Sequence, residues 1–125
     1  MAILKEIVDV SYNVVNWEQA KEFYSKTLEL PVFFGADEFG WFEYGVEGKA
    51  RLAINRWNGP DPVPPQYGGG TVVFEVDDAF AAVALLRSRG VKCEDPMPIP
   101  GMVTYATFYD PEGNRLQMAG PPPKA

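Results

Sequence analysis

Histidine is absent from the 125-residue chain, and cysteine occurs once, at Cys93. A zinc centre built on several imidazoles or thiolates is therefore excluded. One cysteine cannot close an internal disulfide, which suits a reducing compartment. Positive charge is scarce as well: 11 Lys and Arg face 17 Asp and Glu, for a formal net charge of −6 and a pI near 4.6. Phosphate backbones and anionic bilayers are held through surplus cations, so nucleic acid and membrane surfaces are disfavoured as partners. No apolar run reaches the length of a membrane span, and Met1-Ala2-Ile3-Leu4-Lys5-Glu6 lacks the extended apolar core of a signal peptide. These absences point to a cytoplasmic protein.

What is present is a composition 46% apolar and 14% aromatic, enough for one compact domain over residues 1–125. Ile7 to Val15 is rich in β-branched residues and reads as a strand. Asn16 followed by Gln19 forms a capping box that opens a helix with Ala20, Phe23, Tyr24, Thr27 and Leu28 on one face. Pro31 stops it. Val32 to Phe34, Gly40 to Tyr44 and Ala50 to Trp57 read as three strands, with Glu47-Gly48-Lys49 turning between the last two. Module one thus covers about residues 1–57.

Residues 58–70, from Asn58 to Gly70, combine proline and glycine in a linker. The same order then restarts in a second module, about residues 71–119, followed by a short tail over 120–125. Thr71 to Val76 is a strand, Asp77 or Asp78 an N-cap, Ala79 to Arg89 a helix and Gly90 its C′ residue. Strands follow near Val91 to Glu94, Val103 to Tyr109 and Asn114 to Ala119. The halves also match by residue: Tyr12 and Phe74 lie four before the caps Asn16 and Asp78, and Phe23 and Leu85 lie seven after them. Duplication of a βαβββ unit is the economical reading.

The stretch Asp9 to Asn16, the helix residues Ala20 to Tyr24 with Leu28-Glu29-Leu30, and the closing run Phe108 to Gln117 carry a resemblance. Together they resemble the vicinal oxygen chelate superfamily, which includes glyoxalase I, extradiol dioxygenases, fosfomycin-resistance enzymes and the bleomycin-binding resistance proteins. The resemblance implies an α+β fold whose two modules form curved, incomplete mixed-sheet barrels around a cavity. It also implies a homodimer, with apolar strand edges or helix faces at the contact. In metal-dependent members the ligands come from the first and last strands of each module. Carried over, those positions fall on Asp9, Ala53, Thr71 and Gln117. One carboxylate, a methyl, a hydroxyl and an amide make a poor set for zinc or for harder ions. No metal or other cofactor is therefore expected.

Several side chains suit a small-molecule cavity. Asp9 shares its strand face with Ser11 and Asn13, a polar stripe that an apolar core would not choose. Trp41 and Trp57 offer faces for stacking a flat ligand, or else fill the core or a subunit contact. Tyr12, Tyr44 and Tyr105 offer hydroxyls, or else serve as core or rim tyrosines. Glu75 lies on the face of Thr71 and Val73, either as a ligand anchor or in a buried ion pair with Arg51 or Arg115. Trp17 reads as structural, Cys93 as inert beside Glu94 and Asp95, and Asp110-Pro111-Glu112-Gly113 as a turn.

The expected binding set is Asp9, Ser11, Trp41, Trp57, Thr71, Glu75, Tyr105 and Gln117, with no catalytic residue assigned. The expected activity is metal-independent binding of an aromatic or cationic compound, by sequestration or carriage, as in the bleomycin-resistance branch. The alternative is a lyase, isomerase or oxygenase of the glyoxalase or dioxygenase kind, with an atypical or absent metal site.

Overall fold

A computed structural model of the protein describes Lys5, residues 7–57 and residues 71–123. The chain divides into two compact units between Pro64 and Pro65. The linker reading at 58–70 lies outside the described residues, as does the end of the tail.

In the first unit the order is β1 (Asp9–Val14), α1 (Trp17–Glu22), a π-helical turn (Phe23–Thr27), β2 (Val32–Ala36), a 3-10 turn (Asp37–Phe39), β3 (Trp41–Tyr44) and β4 (Arg51–Arg56). The cap works as its residue type dictates: the Asn16 side chain accepts the Gln19 N–H at 3.1 Å. The sheet runs β1-β4-β3-β2, with β1 parallel to β4 and the other pairs antiparallel. Alternation along the strands sends Tyr12, Val14, Leu52, Ile54 and Tyr44 into the core. There Tyr24 stacks on Tyr44 and Trp17 meets Phe42 edge to face, each at 5.8 Å between ring centres. The Phe42 ring lies so close to the Gly35 backbone that a Cβ at 35 would stand 2.5 Å from it, so a larger residue on β2 there would have to displace the ring.

The second unit repeats this plan with β5 (Val72–Glu75), α2 (Ala79–Ser88), β6 (Lys92–Cys93), β7 (Met97–Ile99), β8 (Val103–Tyr109) and β9 (Arg115–Gly120). The helix cap is Asp78, whose carboxylate accepts the Phe80 and Ala81 N–H groups. Gly90 follows the helix at φ +83, the left-handed conformation that ends it. The sheet runs β5-β9-β8-β6, and β7 also pairs with β8. The strand expected near Val91 to Glu94 is present as the two-residue β6, and β7 is a further strand absent from the sequence reading. Pro96, Pro98 and Pro100 lack the N–H that a continuous ladder needs, and Pro98 is tolerated because β7 pairs on one side only. The first unit is irregular at the corresponding place, where β2 shifts register between Val32 and Phe34.

The duplication is visible in the registers. Parallel pairing sets Tyr12 beside Ile54 and Phe74 beside Met118, so both aromatics hold the same place in their sheets. The expected match of Phe23 with Leu85 fails. Phe23 is buried, whereas Leu85 is 50% exposed. The buried residues up to the seventh after the cap are Trp17, Ala20 and Phe23 in the first unit but Ala79 and Val83 in the second, so the two helices already present different sides before the first turns π-helical at Phe23.

Candidate functional site

In each unit the helix covers one face of the sheet, and the opposite face gathers most of the polar residues singled out from sequence. On the first sheet, Asp9 lies beside Arg51, Ser11 beside Ala53 and Asn13 beside Asn55. From β3, Glu43 pairs with Ala53 and Trp41 with Asn55. Asp9, Ser11 and Trp41 therefore share one helix-free face. Trp57 lies one residue beyond β4, half-buried, with its N–H bonded to the Val14 carbonyl at 2.8 Å.

The centre of this face is Glu43, which sequence reasoning missed. Its carboxylate accepts Trp41 Nε1 at 2.9 Å and Arg51 Nε at 2.6 Å. The Arg51 guanidinium lies 4.0 Å from the centre of the Phe33 ring, a cation–π geometry. Beside it, Asn55 Nδ2 donates to Asn13 Oδ1 at 3.1 Å. The Trp41 hydrogen bond, followed by the Arg51 hydrogen bond and charge, holds the Glu43 carboxyl below its ordinary range against the opposing effect of burial. The signal for Glu43 was its two-residue spacing from Trp41 in a strand. Its partner Arg51 comes from a neighbouring strand and carries no such local signal.

Other aromatic candidates sort to the helix side. Tyr12 and Tyr44 are buried in the core. The Tyr44 hydroxyl accepts Ser25 Oγ at 3.1 Å, and burial pushes its pKa up. Trp17 is buried, and its Nε1 donates to Asp37 at 2.8 Å.

On the second sheet, Val73 lies beside Gln117 and Glu75 beside Ala119, while β8 sets Thr107 opposite Gln117 and Tyr105 opposite Ala119. Gln117 Nε2 donates to Thr107 Oγ1 at 3.0 Å, and Arg115 Nε to Thr71 Oγ1 at 2.9 Å. The reading of Glu75 as a buried ion pair is corrected: Glu75 is exposed, Arg51 is bound to Glu43 and Arg115 to Thr71. Glu75 borders an open depression of about 340 Å³ with Asp77, Val103, Ala119 and Pro121. Burial raises the Cys93 thiol above its ordinary value, which keeps it protonated.

The profile of the Glyoxalase/Bleomycin resistance protein/Dioxygenase superfamily matches residues 6–118. The chain belongs to that superfamily. No curated protein matches it in sequence. Among solved structures it is similar to TnmS3, an antibiotic binding protein from Streptomyces sp. CB03234, at 26% identity and a TM-score of 0.76 over 97% of this chain and 99% of that one. A glyoxalase/bleomycin resistance protein from the same Streptomyces is 28% identical, with a TM-score of 0.68 over 91% and 99%. A lactoylglutathione lyase from Agrobacterium tumefaciens shares the fold at 16% identity, with a TM-score of 0.71 over 95% and 96%.

The superfamily's metal positions can be tested on this chain's residues. In both units the two carried-over positions are offset by two residues: Ala53 stands beside Ser11 rather than Asp9, and Gln117 beside Val73 rather than Thr71. Ala53 brings no donor atom, the Thr71 hydroxyl accepts from Arg115, and the Gln117 amide donates to Thr107. Such a set does not fit a divalent ion, which requires several oxygen, nitrogen or sulfur donors turned toward one point. Among the described residues no three His, Cys, Asp or Glu side chains gather into an alternative site. Among them, too, no helix is long and apolar enough to cross a membrane.

Proposed function

We propose that this member of the superfamily is a metal-independent binding protein that sequesters or carries an aromatic or cationic small molecule in a reducing cytoplasm. The observation that carries the reading is the contrast on the helix-free faces. The positions matching metal ligands hold Asp9, Ala53, Thr71 and Gln117, while stacking and hydrogen-bonding groups such as Trp41, Phe33, Ser11 and Tyr105 occupy the same faces. Without a metal to polarise a carbonyl or activate oxygen, the chelate-dependent chemistries of the superfamily lack their electrophile. The likeness to TnmS3, described as antibiotic binding, supports the same direction.

In this reading Trp41 and Trp57 stack the ligand, Asp9 and Glu75 supply charge, and Ser11, Thr71, Tyr105 and Gln117 supply hydrogen bonds. The working form is a two-fold homodimer. A thermal-shift screen of flat aromatic and cationic compounds, followed by mass spectrometry of the recovered ligand, tests the proposal. A binder raises the melting temperature and returns its ligand unchanged. A chemically altered ligand would replace binding with catalysis.

A further inference from the structure

On the helix-free face of the first sheet, Glu43 ties three neighbouring strands together. Its Oε1 accepts Arg51 Nε at 2.6 Å and its Oε2 accepts Trp41 Nε1 at 2.9 Å, so each carboxylate oxygen has a donor. Arg51 is fixed in turn: Nη1 donates to the Lys49 carbonyl at 3.2 Å, and the guanidinium lies against the Phe33 ring. Phe33 reaches that place through the irregularity of β2. Pairing passes from Val32 with Tyr44 to Phe34 with Glu43, so Phe33 is the extra residue of a bulge, a feature that re-aims a side chain. Phe33, Arg51, Glu43 and Trp41 thus form one chain of contacts across β2, β4 and β3.

The Trp41 indole is held by its N–H edge, which leaves the ring face as the part able to take a flat ligand. Trp17, on the helix side, is already engaged: Phe42 meets it edge to face, and Lys21 and Arg56 lie over it. Among the described residues no ring or cation is set against Trp41, although it is half-buried. Charge then decides which kind of ring suits it. The charged side chains of this face are Asp9, Glu43 and Arg51, two negative and one positive. Arg51 is 15% exposed and bound to Glu43 and Phe33, so an anionic ligand meets no cation at liberty on this face. A hydrogen bond donated to an ionised carboxylate is charge-assisted and polarises the donor, which enriches the electron density of the indole. A cation over the ring gains from that density, and tryptophan is the best ring for such a contact.

We propose that Glu43 is the positioning and specificity-determining residue of this face: it fixes the edge of Trp41 and makes the ring select a planar aromatic cation over a neutral ring of the same shape. The assignment rests on the binding function proposed above and names the ligand class within it. Glu43 acts through Trp41 rather than by touching the ligand, because both of its oxygens already accept donors. Asp9, on the same face, leaves the surroundings of the ring with a net negative charge.

The test is nuclear magnetic resonance titration of the full chain, as the parent, Glu43→Gln and Glu43→Leu. The probes are N-methylquinolinium and, in mildly alkaline buffer where it is neutral, quinoline. The indole N–H signals are assigned through Trp17→Phe, Trp41→Phe and Trp57→Phe. In the parent, N-methylquinolinium should shift the Trp41 signal and bind about five- to tenfold tighter than quinoline. Glu43→Gln keeps an acceptor for the indole but no charge, so both probes should still shift Trp41 while the preference for the cation falls below about twofold. Glu43→Leu removes the acceptor, so the Trp41 signal should move in the ligand-free protein and both probes should bind at least about tenfold more weakly. Arg51 loses its charged partner in both variants, so a merely structural role would weaken them alike.

Equal losses in the two variants, or equal affinities in all three proteins, overturn the role of Glu43 and leave binding standing. Probes that bind without moving the Trp41 signal do the same. A parent that binds neither probe overturns the aromatic-cation assignment, whereas the binding function itself falls only if the thermal-shift screen also yields no hit. Should Glu43→Leu fail to fold, Glu43→Gln decides alone, and an undiminished preference for the cation overturns the proposal.

Discussion

Arg51 and Glu43 form a nearly buried ion pair on the helix-free face of the first sheet, with Nε 2.6 Å from Oε1 and 15% of each side chain exposed. The pair is tied to Trp41 by the second carboxylate oxygen and to Phe33 through the guanidinium. Removing one member leaves the other without its partner in a poorly solvated place. We therefore expect Glu43→Ala to lower unfolding stability by about 1–3 kcal/mol. Denaturant melts that agree with the parent within a few tenths of a kcal/mol would refute this.

The same pair has a pH signature. Because the folded Glu43 carboxyl titrates below its ordinary value of 4.5, its contribution is complete above that pH and is lost as the pH falls through the lower folded value. The stability gap between the parent and Glu43→Gln should therefore be widest near neutrality and close in acid. A gap that stays constant down to about pH 3 would remove Glu43 as its source.

Ligand binding divides the candidate residues. With the best thermal-shift hit titrated into Trp41→Ala, Trp57→Ala, Asp9→Asn and Glu75→Gln, loss of a stacking partner should cost about 1–3 kcal/mol, and loss of a desolvated charged anchor more. Trp41 carries a second role through Glu43, so its variant is accompanied by a stability measurement. Unchanged affinity in all four folded variants would place the site elsewhere.

Elemental analysis of the purified protein should find no stoichiometric zinc, iron, nickel or manganese, and a chelator should leave the melting temperature unchanged. About one equivalent of such a metal, removable with loss of function, would contradict the reading of Asp9, Ala53, Thr71 and Gln117.

The turn between β8 and β9 should prove structural. The buried Asp110 carboxylate accepts the N–H groups of Glu112 and Asn114 at 2.9 and 2.8 Å, and Asn114 Nδ2 at 2.8 Å. Asp110→Ala strands these donors and should cost about 1–3 kcal/mol in denaturant melts, with ligand affinity preserved. A variant of parental stability that lost affinity would move Asp110 into the binding site.

The elements legible in the sequence were those set by local chemistry. Caps at Asn16 and Asp78, the stop at Gly90 and the strand from Val103 to Tyr109 follow from hydrogen bonds and backbone preferences within a few residues. Two-residue alternation likewise placed Asp9 with Ser11, and Thr71 with Glu75, on common faces. What only the tertiary structure decided was pairing between strands distant in sequence. It joined Arg51 to Glu43 and Thr71 to Arg115, left Glu75 exposed, and split β6 from β7 along β8. It also turned Phe23 inward and Leu85 outward at equivalent positions, because the two helices present different sides to their sheets, burying Ala20 in one unit and Val83 in the other.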